Sequence, residues 1–325
     1  SAGSIMSIEF VDITENMTVS DAFDKIRETG VNKETIYTCY VIDENRKLVG
    51  LVTVMTLLTS PQNAVISDIM DDNVIFTTTD ADKEDVSKLI EKYDLLAVPV
   101  VDLEHRLVGI VTVDDAIDVI QEEAEEDFAK MNAITPMEKP YLKTSVFNIW
   151  KSRIPWLMLM MVSATFTGMI ISSFEDALAA QVVLTAFIPM LMDTGGNSGS
   201  QASVTIIRGL SLGEIEFRDI LKVIWKEIRV SVLCGISLAV ATFIKIMLIN
   251  NLILHENVSI IIALVVCITM AMTIIIAKFI GCTLPLFAKK IGFDPAVMAS
   301  PFITTIVDAV SLLIYFSIAK MLLHI

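Results

Sequence analysis

The last apolar segment, residues 300–320, constrains the fold of this chain most. It is long enough to cross a bilayer as a helix, and Asp308 is its one ionisable residue before Lys320. An ionised side chain near the bilayer centre costs roughly 2.5–3.5 kcal/mol on insertion scales, so such residues usually face a protein interior or a water-filled path. Helical spacing places Thr304 one turn before Asp308 on the same face. The segment therefore predicts a transmembrane helix that lines an ion pathway; the alternative is a carboxylate that only hydrogen-bonds a neighbouring helix.

Other apolar segments extend this prediction to a membrane domain. Hydrophobic residues make up 54% of the chain, which is well above the composition of a soluble domain of this size. Lysine and arginine cluster before the first span and between alternate spans, so we expect the N-terminus in the cytoplasm and the C-terminus outside. Lys278 is expected to extend its ammonium from a helix end to the interface. The five predicted spans are residues 154–171, 177–192, 230–249, 258–277 and 299–323.

A polar, glycine-rich run at residues 193–201 follows the second apolar segment. Irregular backbone at membrane depth occurs where it lines a water-filled path or is buried in protein, so we expect the helix to unwind here. Asp193 and Asn197 offer side-chain oxygens, and Gly195 and Gly196 permit unwinding that exposes carbonyl oxygens. Such a path suits a largely hydrated Mg²⁺, which prefers oxygen ligands and sheds water reluctantly. The alternative is that the glycines serve close helix packing alone.

The N-terminal half contains an internal repeat. Residues 40–58 and 99–117 align at an offset of 59, with eight of nineteen positions identical. Each copy has the pattern of a strand, a polar turn, a second strand entered through Gly50 or Gly109, and a helix. A helical pattern also precedes each copy, at residues 20–29 and 83–93.

This repeat resembles a tandem pair of CBS domains. The resemblance implies a regulatory module that dimerises and often binds adenine nucleotides. Thr112 and Asp115 match the family's pattern for holding a ribose, which makes ATP a candidate ligand of the second repeat, whereas the first copy has Thr53 and Thr56 at those positions.

Charge is distributed unevenly along the chain. Residues 1–139 contain 29 acids and 11 bases, a net charge of −18, whereas residues 140–325 contain 10 acids and 13 bases, a net charge of +3. This acidic field argues against nucleic acid and for cations as partners. It is densest in a predicted helix at residues 114–130, where eight of the first fourteen residues are acidic. Carboxylates about 4 Å apart repel by about 1 kcal/mol in water and about 4 kcal/mol at an effective dielectric of 20, so this helix is predicted to sense divalent cations. A solvated spacer helix is the alternative.

Three motifs together resemble the MgtE family of bacterial magnesium channels: residues 189–201, the Asp294-Pro295 turn and residues 301–308. The resemblance implies a homodimer with five spans per subunit and Asp308 from both subunits around a hydrated ion on the two-fold axis. It also implies that the helix from residue 118 closes the cytoplasmic mouth when Mg²⁺ binds. The implied regulatory ligands are Asp82, Glu84, Asp94, Asp115, Asp118, Glu123, Glu126, Asp127 and Asp294.

Two departures from the family pattern affect regulation. Most members carry a helical domain before the CBS pair, whereas about ten residues precede the first repeat here, so closure is expected to be weaker or to need more Mg²⁺. Residues 94–97, where the family clamps a nucleotide, contain no aromatic side chain, which weakens the ATP prediction.

The predicted fold class is an α+β cytosolic CBS pair followed by an all-α transmembrane domain of five helices, assembled as a homodimer. The predicted domains are residues 1–62, 63–117, 118–139 and 140–325: two CBS repeats, a connecting helix with its linker, and the membrane domain. The predicted function is import of Mg²⁺ across the bacterial cytoplasmic membrane, gated by cytosolic Mg²⁺. A coupled transporter of Mg²⁺, Mn²⁺ or Co²⁺ is the alternative, and a membrane-embedded enzyme is disfavoured because HExxH and a nucleophile beside a base are missing from the sequence.

Overall fold

The computed structural model describes residues 1–137, 139–298 and 300–324, and of Ser300 the backbone alone. The start of the fifth predicted span, at Ala299, therefore lies outside the described residues. The chain divides into two compact units, residues 1–124 and 125–325.

The first unit contains two copies of one small α+β arrangement. In each copy a three-stranded sheet has a parallel pair followed by an antiparallel pair, with β2 or β5 at its centre. The elements of the first copy are β1 (Val11–Thr14), α1 (Val19–Thr29), β2 (Thr38–Ile42), β3 (Leu48–Thr53), α2 (Val54–Thr59) and α3 (Ile66–Ile69). Those of the second are β4 (Thr77–Thr78), α4 (Lys83–Tyr93), β5 (Ala97–Val101), β6 (Leu107–Thr112) and α5 (Val113–Met131). The predicted repeat, the helix before each copy and the continuous acidic helix are confirmed.

The repeated glycines have the same physical role in the two copies. A Cβ on Gly50 would lie 2.7 Å from Met70 Sδ, and a Cβ on Gly109 would lie 2.8 Å from Met6 Sδ. A neighbouring segment therefore crosses β3 or β6 at the glycine, and a side chain there would collide with it. The sequence identity at these positions reflects this shared crossing.

The two sheets share a core. The cluster that contains Tyr40 and Leu48 of the first copy also contains Val101, Leu107 and Ile110 of the second. Helices cover the other side of each sheet, and β2 and β5 are buried along nearly their whole length. Strands buried on both faces are expected to be continuously apolar, as these are.

The second unit is helical and is organised around one central helix. After the end of α5 it contains α6 (Val146–Ser173), α7 (Glu175–Ala180), α8 (Ile188–Ser211), α9 (Ile220–Lys245), α10 (Ile260–Lys290) and α11 (Ser300–Leu323). Helix α10 packs against α8, α9 and α11, while α6 packs against α11. A π-helical segment, Ile246–Ile253, extends α9.

Four segments among the described residues are long and apolar enough to cross a membrane. They are Val146–Ser173, Phe217–Ile253, Ile260–Lys290 and Pro295–Leu323. These contain the predicted first and third spans, the fourth from Ile260 onward, and the described part of the fifth.

The second predicted span and the predicted break after it are wrong. Residues 177–192 do not form one helix, because α7 ends at Ala180 and a 3-10 helix, Val182–Phe187, follows. Helix α8 then runs without interruption through residues 193–201. Pro189, inside the predicted second span, lies in the first turn of α8, where proline is well tolerated.

Close packing explains why the glycine-rich run stays helical. A Cβ on Gly281 of α10 would lie 2.2 Å from the carbonyl oxygen of Gly199, and one on Gly195 would lie 2.6 Å from Thr273 Cγ2. Small residues let helix backbones approach closely, and the resulting packing offsets the poor helix propensity of glycine. The packing alternative from the sequence is therefore the correct one for the backbone of this run.

Gly281→Ala tests this contact. The added methyl group would force α8 and α10 apart, and we expect a loss of about 1–3 kcal/mol of stability. Gly168→Ala in α6 is the matched control, because a Cβ there meets nothing within 4 Å. Thermal unfolding of the detergent-solubilised protein would show a lower midpoint for Gly281→Ala and an equal or higher one for Gly168→Ala. Equal midpoints for both variants would show that the close approach does not matter.

Candidate functional site

The candidate ion pathway is formed by facing sides of α8 and α11. A Cβ on Gly196 would lie 3.0 Å from Thr304 Cγ2 and 3.6 Å from Asp308 Oδ1. Thr304 and Asp308 therefore both face α8, at a point where the missing side chain of Gly196 makes room for them. The spacing of Thr304 and Asp308 in the sequence correctly predicted that they share a face.

Asp193 and Asn197 add polar groups to the same region. Asn197 Nδ2 donates a hydrogen bond to Asp193 Oδ1 at 3.1 Å, and the carboxylates of Asp193 and Asp308 are near enough to repel each other. Asp193 and Asn197 are exposed in the single chain, and Asp308 is half-buried. The arrangement can therefore attract a cation from a side that the rest of the chain leaves open.

The backbone of α8 does not supply the carbonyl ligands that we expected. Because α8 is a continuous helix, the carbonyl oxygens of Gly195 and Gly196 accept hydrogen bonds within it. Gly195 is also turned toward Thr273, Val307 and Ser311, on a buried side of α8. Side chains, not an unwound backbone, thus provide the oxygens on this surface.

Sequence reasoning missed a buried ion pair between α9 and α10. Lys278 Nζ lies 3.8 Å from Glu227 Oε2, and the two side chains are 8% and 15% exposed. Lys278 does not reach an interface, because α10 continues for twelve residues beyond it, to Lys290. The available signal was Lys278, the one charged residue of α10 before Lys289, since a buried charge requires a partner; Glu227 itself stands between Lys226 and Arg229 and gives no such signal.

The predicted regulatory carboxylates of the first unit are held by local contacts. Asp82 caps α4 by accepting a hydrogen bond from the backbone N–H of Glu84 at 2.9 Å. Glu84 pairs with Lys88 at 2.6 Å, and Asp94 ends α4 with φ of 52°. These groups thus lie at the two ends of α4.

The predicted ligands at the start of α5 are arranged along one helix. Asp115 accepts a hydrogen bond from Thr112 Oγ1 at 2.9 Å, and Asp118 is exposed. Glu123 lies 3.4 Å from Lys83, whose ammonium also bonds Glu122 at 3.0 Å. The hydrogen bond to Glu122 raises the pKa of Lys83 above its ordinary value.

The remaining three predicted ligands lie in the second unit, where Lys130 joins two of them and Ser211 bonds the third. Lys130 bonds both Glu126, at 2.5 Å, and Asp294, at 2.6 Å. Burial alone would lower the pKa of Lys130, but the hydrogen bonds to Asp294 and Glu126 outweigh it and raise the pKa. Asp127 accepts a hydrogen bond from Ser211 Oγ at 3.0 Å.

No group of three or more metal-ligating side chains occurs among the residues that the structure describes. Within this described part, a single chain therefore offers pairs of carboxylates. Such pairs fit Mg²⁺, which usually keeps several waters and uses one or two carboxylates.

Comparisons with known proteins agree with both halves of this description. Residues 188–318 match the family model "MgtE: Divalent cation transporter", and residues 2–62 and 66–122 match the CBS domain model. The chain is 35% identical to the magnesium transporter MgtE of Thermus thermophilus, over 99% of this chain and 70% of that protein. It is 38% identical to MgtE of Bacillus subtilis, over 100% of this chain and 70% of that protein.

Two solved structures are also similar over the first part of the chain. One is the soluble part of a magnesium transporter, with 44% identity and a TM-score of 0.38 over 38% of this chain and 48% of that one. The other is the cytosolic domain of the Mg²⁺ channel MgtE in complex with ATP, with 42% identity and a TM-score of 0.36 over 36% of this chain and 48% of that one.

The Glu227–Lys278 pair yields a stability prediction. Glu227→Gln or Lys278→Met alone leaves one buried charge without a partner, and we expect each to cost about 3 kcal/mol. The double variant should recover most of that loss, because neither charge remains. Thermal unfolding of the parent, both single variants and the double variant measures the coupling. Glu216→Gln, in an exposed pair with Arg218, is the control, and its unfolding midpoint should stay near that of the parent. If the stability losses of Glu227→Gln and Lys278→Met simply add in the double variant, the two side chains do not form a stabilising pair.

Proposed function

Because the chain belongs to the MgtE family of divalent cation transporters, we propose that it imports Mg²⁺ across a bacterial cytoplasmic membrane along a path that includes Asp308. Its named relatives are magnesium transporters, and the chain is accordingly a transporter and not an enzyme. The observation that carries the proposal is the approach of Asp308 and Thr304 to Gly196, beside the polar groups of α8.

The second step of the proposal is a homodimer. Asp193 and Asn197 are exposed in the single chain, within a helix that packs against two apolar membrane helices. Polar groups of this kind are costly in contact with acyl chains and are almost always turned to protein or water. A second copy that brings its own Asp193, Asn197 and Asp308 to the same axis would enclose them. The cation and the water around it then lie between two identical surfaces.

The chemistry of these surfaces suits a hydrated Mg²⁺. Two Asp308 carboxylates on the axis would neutralise the charge of the ion while water stays bound to it, because Mg²⁺ dehydrates reluctantly. Asp193, held by Asn197, adds negative potential one helical turn from Gly196. Selection in this arrangement depends on charge and on the width of the hydrated ion.

Helix α8 is the fifth membrane span in this proposal. Its 24 residues extend about 36 Å at about 1.5 Å per residue, more than a hydrocarbon core of about 30 Å. Of the polar residues that lower its hydropathy, Ser198, Ser200 and Ser203 are buried within the chain, and Asp193 and Asn197 would face the proposed dimer axis. With five spans, the N-terminus and the CBS pair lie in the cytoplasm and the C-terminus outside.

Regulation by cytosolic Mg²⁺ rests on the carboxylate pairs. Regulatory Mg²⁺ would use the predicted ligands on α4, α5 and the Asp294 turn, with water and the second copy completing its shell. The proposed domains stay those of the sequence: repeats at 1–62 and 63–117, the connecting segment 118–139 and the membrane domain 140–325. ATP at Thr112 and Asp115 stays a prediction, supported by the hydrogen bond that fixes the Asp115 carboxylate beside Thr112.

Asp308→Asn tests the path. The amide keeps the size of the side chain and removes its charge, so we expect Mg²⁺ uptake to fall at least about tenfold, a loss of about 1.4 kcal/mol or more of ion stabilisation. Uptake into proteoliposomes that contain an Mg²⁺-sensitive dye measures the effect. Asp176→Asn, in the first turn of the short helix α7, is the matched carboxylate control and should keep parental uptake. Parental uptake by Asp308→Asn would refute the assignment.

The same proteoliposomes separate a channel from a coupled transporter. A channel carries Mg²⁺ current with no proton or sodium gradient, at a rate that does not change when such a gradient is imposed. Uptake that requires either gradient would favour the coupled transporter. The role of Asp308 would then be judged only from the uptake of Asp308→Asn.

A further inference from the structure

The C-terminal turn of α5 is held within the second unit by contacts to two other segments, α8 and the turn between α10 and α11. Lys130 Nζ bonds Asp294 Oδ2, in the turn between α10 and α11, and also Glu126 of its own helix. Ser211, the last residue of α8, donates to Asp127. Met131 packs against the buried side chains of Ile207 and Ala296.

The carboxylate of Asp294 is aimed at Lys130 by the backbone. Asp294 Oδ1 accepts a hydrogen bond from the N–H of Ala296 at 2.8 Å, which leaves Oδ2 to accept from Lys130. The side chains of Lys130, Asp294 and Glu126 are 26%, 33% and 42% exposed, so solvent only partly screens the three charges. The ammonium therefore occupies the space where two acidic groups converge.

We propose that Lys130 is a latch that docks the end of α5 onto the Asp294 turn without any metal, and that a divalent ion engages Glu126 and Asp294 only by displacing this ammonium. This inference rests on the proposed regulation by Mg²⁺ and adds the residue that sets its threshold. Lys130 Nζ joins two carboxylate oxygens at 2.5 and 2.6 Å, which therefore lie at most 5.1 Å apart (2.5 + 2.6). Without Lys130 the two carboxylates would repel each other, and a partly hydrated divalent cation would be needed to hold them together.

The proposal changes the expected state at low Mg²⁺. With Lys130 in place, the end of α5 stays docked when Mg²⁺ is removed. Without Lys130, docking becomes dependent on the metal, because the carboxylates are left free for it. Lys130 thus lowers both the affinity of this pair for Mg²⁺ and the dependence of docking on Mg²⁺.

A disulfide reports docking directly. The variant Asp127→Cys/Ser211→Cys places two thiols where two side chains are in hydrogen-bond contact. The full-length protein in detergent is oxidised with either a chelator or Mg²⁺ present, and the rate of disulfide formation is measured. We expect Lys130→Met in this background to form the disulfide about fivefold more slowly in chelator, since partly exposed ion pairs contribute up to about 1 kcal/mol each. Mg²⁺ should restore the rate of Lys130→Met and change the rate of the Lys130 parent little.

Two further variants complete the design. Lys130→Arg keeps the charge and should keep the parental rate in chelator. Lys130→Met/Asp294→Asn removes one of the repelling carboxylates, so its rate should not respond to Mg²⁺. Equal rates of Lys130→Met and its parent in chelator would overturn the latch, and so would a missing response of Lys130→Met to Mg²⁺. Because the readout is a disulfide, it stays interpretable even if Asp308→Asn shows that the proposed ion path is wrong.

Discussion

A carboxylate in an apolar helix must meet polar groups or water, and most features of the second unit follow from satisfying Asp308 in this way. The residue opposite it is Gly196, since any side chain there would meet Thr304 and approach the carboxylate. Asp193 and Asn197 place further polar atoms along the same side of α8, where they stay exposed. A surface of this kind is stable in a membrane only when something polar covers it. The exposure of Asp193 and Asn197 beside Asp308 is therefore the physical reason for proposing a second copy.

Helix packing explains the backbone that carries this surface. Lipid is as apolar as the helices it surrounds, so close contact between backbones, not exclusion of water, holds membrane helices together. The contact of Gly281 with the carbonyl of Gly199 is such an approach, and Gly195 packs on Thr273 and Val307 in the same way. One side of α8 is therefore used for packing and another for polar chemistry. The two functions need different residues, which is why this run contains both small and polar residues.

Patterns with local causes could be predicted from the sequence. The repeat, the helices beside it and the acidic helix α5 follow from identity, periodicity and helix propensity, and the shared face of Thr304 and Asp308 follows from helical spacing alone. The continuity of α8 could not be predicted, because glycine is equally compatible with unwinding and with close packing, and the choice depends on Thr273 and Gly281, far away in the chain. The Glu227–Lys278 pair depends on two helices meeting, which no local pattern specifies.

The proposed role of Lys130 illustrates how one tethered charge would change an acidic sensor. A group held four residues from Glu126 acts at an effective concentration of the order of millimolar, so it competes with free cations of similar concentration. A carboxylate pair without such a group binds metal or separates, whereas a pair that holds an ammonium has a third, metal-free state in which it stays joined. The net binding free energy of the metal is then the difference between its own bonds to the carboxylates and the bonds of the lysine that it replaces. A ligand can shift the docking equilibrium by no more than its difference in binding free energy between the two states. The position of a single lysine can therefore set the threshold of a divalent-cation sensor while every acidic ligand stays the same.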